Sequence, residues 1–145
     1  MDWSAIAAQQ FQVRSLNFTV LKPFEELEGE GGGSLLSDLV TLFLRVGPED
    51  LANLRSAVFS QNLGKVHQLA HGFKSSGANL GAETVAELCQ KLEDQTDPEF
   101  NPAEIDLRSV FTELEMAYRM AERDLKIVGL LLQNLPVPEE LARVS

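Results

Sequence analysis

Histidine, cysteine and positive charge are all scarce in this chain of 145 residues. The one cysteine, Cys89, has no partner for an internal disulfide and cannot build a thiolate metal cluster. It fits a reducing compartment and reads as a small, buried apolar residue. Lys and Arg number 12 against 22 Asp and Glu, a net charge of −10. Such a balance would not neutralise a phosphate backbone, which argues against a free nucleic-acid binder. No basic start leads into an apolar core of signal-peptide length. The longest late apolar run, Ile127 to Leu132, is interrupted by Gly129 and is too short to span a bilayer. A cytoplasmic protein without a membrane segment is expected. Few stretches look like short strands separated by regular turns, which speaks against an all-β fold.

What is present is helical periodicity. At 44% hydrophobic and 23% charged residues the composition is that of one globular domain, and a chain of this length buries roughly 70% of its extended surface in a single core. Trp3, Ile6, Ala7 and Phe11 suggest a helical turn or two. Phe18, Leu21, Phe24 and Leu27 suit a short helix with Pro23 inside it. The glycines 29, 31, 32 and 33 then form a loop, which lacks the Lys-Ser/Thr continuation and the preceding strand of a phosphate-binding P-loop.

Ser34 is placed to cap a helix carrying Leu35, Leu36, Leu39, Val40, Phe43 and Leu44. The stripe resumes after Gly47-Pro48 with Leu51, Leu54, Val58 and Phe59, either as a second helix or as one long helix kinked at the proline. Asn62 reads as the cap of the next helix, whose inner face is Leu63, Val66, Ala70, Phe73, Gly77 and Leu80 and which Gly81 ends. Residues 82–94 make another amphipathic helix with Val85, Leu88, Cys89 and Leu92. Asn101-Pro102-Ala103-Glu104 resembles a cap followed by a first-turn proline. The last and longest helix runs from Leu107 past Phe111, Leu114, Tyr118, Ala121, Leu125 and Val128 to Leu132, at the three-and-four spacing of a bundle seam. Pro136 and Pro138 stop it. The expected fold is an all-α, antiparallel four-helix bundle with one or two short N-terminal helices: residues 1–33 packing on the bundle, 34–133 the bundle itself, and 134–145 a polar tail.

The only histidines, His67 and His71, lie four apart on one helix. A zincin-type pair would need Glu where Gln68 stands, and a third ligand, so a metal site is not expected. His71 lies well round the helix from the apolar stripe and should be wet, with Lys74 and Ser75 within side-chain reach. A cation beside an exposed imidazole opposes ring protonation, and suits a neutral nitrogen that must accept and hold an anionic group. Gly72, Ser75, Ser76 and Gly77 weaken the helix, glycine by about 1 kcal/mol relative to alanine. Packing accounts for Gly77 on the inner stripe. Gly72 and Ser75 flank His71 on the outer side, where missing bulk would admit a partner's active site.

The string Ala70-His71-Gly72-Phe73-Lys74-Ser75-Ser76-Gly77-Ala78-Asn79-Leu80-Gly81-Ala82 resembles the signature of histidine-containing phosphotransfer (HPt) domains, commonly His-x-Leu-Lys-Gly-Ser-Ser-x-x-Leu-Gly-Ala. The likeness extends from about Leu35 to Leu125, with Phe43, Pro48, Leu51 and Leu54 spaced like the helix that precedes the family's histidine helix. It implies that His71 accepts a phosphoryl group and that Lys74 steadies the phosphoryl oxygens. Two positions depart from the pattern: Ser75 stands where Gly is usual and Gly77 where Ser is common, which bears on partner choice and phosphoryl lifetime.

The resemblance further implies receiver domains of response regulators or hybrid histidine kinases as partners. The expected docking patch around His71 comprises Gln68, Gly72, Ser75 and Ala78, with His67, which has no counterpart in the signature, as a surface residue of the same face. It implies no cofactor on this chain, with Mg²⁺ residing on the receiver. No Gly-rich nucleotide loop accompanies these residues, so the chain reads as a monomeric shuttle and not a kinase. Lys74 and Lys65 would offset the overall negative charge locally, within a Debye length of roughly 8–10 Å. Two other classes remain open: a helical adaptor binding a partner through the same face with a silent histidine, and a metal-dependent enzyme. The enzyme would need two or three carboxylates to converge on the two histidines, whereas Glu83, Glu87 and Glu93 sit on another helix without a Glu-x-x-His repeat.

Overall fold

The computed structural model describes residues 2–26, 35–99 and 106–143. The seven helices found there are α1 (Trp3–Gln10), α2 (Phe18–Glu26), α3 (Leu35–Phe59), α4 (Leu63–Asn79), α5 (Glu83–Thr96), α6 (Leu107–Leu132) and α7 (Glu139–Ala142). No strand occurs among the described residues. The chain is all-α, as its periodicity requires. Packing of α3 on α4, α4 on α5, α5 on α6 and α6 back on α3 closes a ring of four helices. Short turns at residues 60–62 and 80–82 make α3, α4 and α5 successive up-down neighbours.

Side chains fix where the helices begin. The Asp2 carboxylate accepts from the Ser4 amide at 3.0 Å, Asn62 Oδ1 from the Lys65 amide at 3.2 Å, and Asp106 Oδ1 from the Ser109 amide at 3.0 Å. Each satisfies an orphan first-turn donor. Asn62 therefore caps α4 as its position predicts. The expected caps at Ser34 and at residues 101–104, and the glycine loop, lie outside the described residues, and α6 starts at Leu107 under Asp106. Gly81 ends the α4 turn with φ +73, the left-handed conformation a glycine adopts at least cost. A Cβ there would come within 2.6 Å of the Asn17 carbonyl oxygen.

Of the two expectations around Gly47-Pro48, the single helix holds: α3 runs unbroken through both residues. The glycine answers to a distant partner. A Cβ on Gly47 would lie 2.3 Å from the Tyr118 hydroxyl, so its absence is what lets the tyrosine of α6 lie against α3. Tyr118, Phe43 and Phe73 form a three-ring cluster with centroids 5.7–5.9 Å apart, which pins the inner face of α4 to both long helices. Cys89 is fully buried, and burial pushes its thiol up to about 12. It behaves as the inert apolar residue expected.

The segments outside the ring are fastened to it. Trp3, Ala7, Val13, Leu16 and Leu21 are buried in the same core as the bundle residues. Buried Asp124 of α6 accepts from the Arg14 and Ser15 amides at 3.2 and 3.0 Å and from the Ser15 hydroxyl at 2.6 Å. Arg123 donates to Asp124 at 2.7 Å, to the Phe11 carbonyl at 2.9 Å and to the Leu141 carbonyl at 3.1 Å. The polar stretch after Leu132 is thus more than a tail: Val137 and Leu141 pack on the core, and α7 is held to α6 by Arg123. Asn17 braces the opposite end of α4. Its amide donates to the Gly81 carbonyl at 2.8 Å, and its side-chain amide to Glu83 at 2.5 Å.

Candidate functional site

Phe73, Ala70, Val66 and Gly77 turn the inner face of α4 into the core, with the half-buried Leu69 packed against it. His71 emerges on the outer side with its side chain 67% exposed. The ring is wet, as its angular position on the helix predicts.

One nitrogen of that ring is held from beneath. His71 Nδ1 meets Oε1 of Glu93, a carboxylate of α5 that is only 5% exposed. The other oxygen of the same carboxylate accepts from Lys74 Nζ at 2.5 Å, and Lys74 also donates to Gln90 Oε1 at 2.9 Å. Burial disfavours the charged form of Glu93, but the Lys74 and His71 hydrogen bonds and charges together outweigh it and hold the carboxyl below its ordinary range. An ionised carboxylate is an acceptor only. The imidazole nitrogen facing it must therefore be the protonated one, and in the neutral ring the lone pair then sits on Nε2. Glu93 thus sets the tautomer of His71 and the position of Lys74 with one group.

From the sequence alone Glu93 reads only as a conceivable metal ligand. Its signal lay in the pattern: it falls beside Leu92 on the buried stripe of Val85, Cys89 and Thr96, and a charge on an apolar stripe needs a partner. Glu83 bonds Asn17, and Glu87 faces a shallow concavity shared with Lys74, Ser75 and Gln90. Among the described residues no group of three or more His, Cys, Asp or Glu side chains is arranged to hold a metal.

The other residues singled out divide by exposure. Gln68, Gly72, Ser75 and Ala78 are all exposed around His71. A Cβ on Gly72 would meet nothing within 4 Å, so no contact within this chain requires glycine there. Gly77, in contrast, faces Val85 of α5, 3.1 Å from where its Cβ would stand. Ser75 and Ser76 turn their hydroxyls back to the carbonyls of His71 and Gly72, each at 3.3 Å. His67 is half-buried, its Nδ1 lying 3.1 Å from the Glu93 carbonyl and 3.3 Å from the Thr96 hydroxyl. It ties α4 to the end of α5.

No helix among the described residues is long and apolar enough to cross a membrane. No curated protein matches the sequence at a significant level. The family model of the Hpt domain matches residues 38–126, more than half of the chain. Members of that family carry phosphoryl groups in two-component relays and interact with receiver domains; they are carriers, not kinases. With a helical ring of the required kind and the match spanning α3 through most of α6, the chain belongs to the Hpt domain family.

Proposed function

We propose that His71 accepts a phosphoryl group from the aspartyl phosphate of a receiver domain and passes it to the aspartate of another. In the forward step the Nε2 lone pair attacks phosphorus in line, the N–P bond forms as the acyl P–O bond breaks, and the aspartate leaves as a carboxylate. The Nδ1 proton stays on the ring, directed at Glu93, so the imidazolium charge that develops is compensated where it arises. Lys74, anchored one turn along by Glu93 and Gln90, steadies the phosphoryl oxygens. The receiver supplies the Mg²⁺, and this chain contributes position and charge, which dominate phosphoryl transfer.

The observation that carries this reading is the pairing of an exposed imidazole with a buried carboxylate that leaves Nε2 facing outward. The receiver docks over the exposed Gln68, Gly72, Ser75 and Ala78, with His67 at the border. The chain acts as a cytoplasmic monomer with no cofactor of its own. Incubation with a phosphorylated receiver and Mg²⁺ should place an acid-labile, alkali-stable label on the wild type and none on His71→Gln, whose melting temperature should be unchanged. A label that persists in His71→Gln would overturn the assignment. Absence of label from the wild type, with partner binding intact, would favour a helical adaptor.

A further inference from the structure

The outer side of the α5–α6 pair carries a second surface that the phosphoryl site does not use. Met116 and Met120, one turn apart on α6, are 65% and 62% exposed. They border a groove of about 470 Å³ whose floor is Val85 and Leu88 of α5 with Ala117 and Ala121 of α6. A cleft of about 440 Å³ shares Arg14, Ser15 and Met120 with this groove and continues it past Arg119, Arg123 and Arg143. The two form one trough, apolar at one end and cationic at the other.

The charge there runs against the molecule. Over the whole chain 12 cations face 22 anions, whereas the trough is lined by four arginines against Glu113 and Asp124. A small anion finds no built site in it, because Nε, Nη1 and Nη2 of the one partly buried guanidinium, Arg123, are committed to Leu141, Asp124 and Phe11. Arg14, Arg119 and Arg143 stand at the rim and are exposed. Arg143 pairs with the exposed Glu139 at 2.9 Å, and Arg119 reaches the half-buried Glu115 at 4.0 Å, a carboxylate that Arg55 approaches more closely at 3.4 Å. Pairs so exposed or so long exchange readily for an incoming carboxylate. Exposed methionines beside arginines are the composition of a protein interface. The walls are two helices, and the described residues offer no strand edge to extend, so the matching element is a helix.

We propose that this trough docks an amphipathic, acidic helix of a partner protein, its apolar face on Leu88, Met116 and Met120 and its carboxylates on Arg14 and Arg119. Helix α5 separates the two sites: Gln90 and Glu93 face α4 and His71, while Thr84 and Leu88 line the trough. The occupant therefore leaves His71 open to a receiver, and a carrier held this way can be tethered while it exchanges phosphoryl groups.

The test is a methyl and amide NMR titration of the full chain with two synthetic stapled helices of identical apolar pattern, one flanked by Glu and one by Lys. The Glu helix should shift the Met116 and Met120 methyl signals saturably, leave the His71 ring signals in place and weaken with added salt. The Lys helix should bind at least about tenfold more weakly, and Arg14→Glu with Arg119→Glu, or Met120→Glu, should weaken the Glu helix by about tenfold or more. All three positions are exposed, so the variants keep the fold. Equal affinity for both helices, shifts centred on α4, or no saturable shift would overturn the proposal. So would methyl shifts on simple concentration of the chain, which would assign the trough to a second copy, or the same shifts with inorganic phosphate, which would assign it to a small anion.

Discussion

Two carboxylates are buried to almost the same degree in this bundle, Glu93 at 5% and Asp124 at 4% exposure, and they do opposite things. Asp124 is surrounded by the Arg14 and Ser15 amides, the Ser15 hydroxyl and Arg123. Three of those donors belong to the N-terminal segment, and the charge is spent on joining that segment to α6. Glu93 is approached by two side-chain heads, His71 and Lys74, on the outward side of a neighbouring helix. A buried charge whose donors come mostly from a distant segment of the chain builds architecture. One whose donors are side-chain heads near the surface fixes where those heads stand.

Substitutions can break this contrast. Asp124→Ala leaves Arg123 without its carboxylate and two amides without an acceptor, and breaking a buried pair costs about 3–5 kcal/mol. Urea unfolding should show a loss of that size, while the folded protein is still phosphorylated at an unchanged rate. A large loss of transfer with stability retained would erase the distinction. Gly47→Ala forces Tyr118 away from α3, and overpacking of this kind costs roughly 1–3 kcal/mol. The thermal midpoint should fall, again without loss of transfer in the folded protein.

Glu93→Gln sharpens the other side. The folded-state pKa of Glu93 is depressed, so its contribution to stability is present above the ordinary value of 4.5 and is lost as pH falls through the lower folded value. The wild type should lose stability across that acid range more steeply than Glu93→Gln, and the variant should accept phosphoryl groups more slowly at neutral pH because its hold on Lys74 and on the His71 tautomer is weakened. An identical acid limb for the two proteins would remove Glu93 from the account. Gly72→Ala has the smallest effect on the fold. With nothing near the new methyl, helix propensity should raise stability by up to about 1 kcal/mol, while transfer should slow if a receiver docks there. Unchanged transfer would show that the glycine is not kept open for a partner.

The same contrast explains what the sequence revealed. Helical stripes are local, so the bundle and the exposure of His71 could be read from spacing alone, and so could the caps at Asn62 and Gly81. Gly47-Pro48 left two readings open because the residue that decides between them, Tyr118, is far away in the chain. The full role of Glu93 stayed hidden for the same reason: its donors lie on another helix, and only its place on an apolar stripe hinted at them. The stretch after Pro136 reads as polar tail because Val137 and Leu141 are few, and their anchor, Arg123, sits on α6.

Asn17 lies well before the matched residues 38–126, yet it holds the Gly81 carbonyl at the close of the histidine helix. A fragment trimmed to the family boundaries would keep the signature while discarding the strut that sets its final turn, together with the buried Trp3, Leu16 and Leu21. In this protein the working unit is larger than the recognisable one, and the leading arm belongs in any minimal version of the carrier.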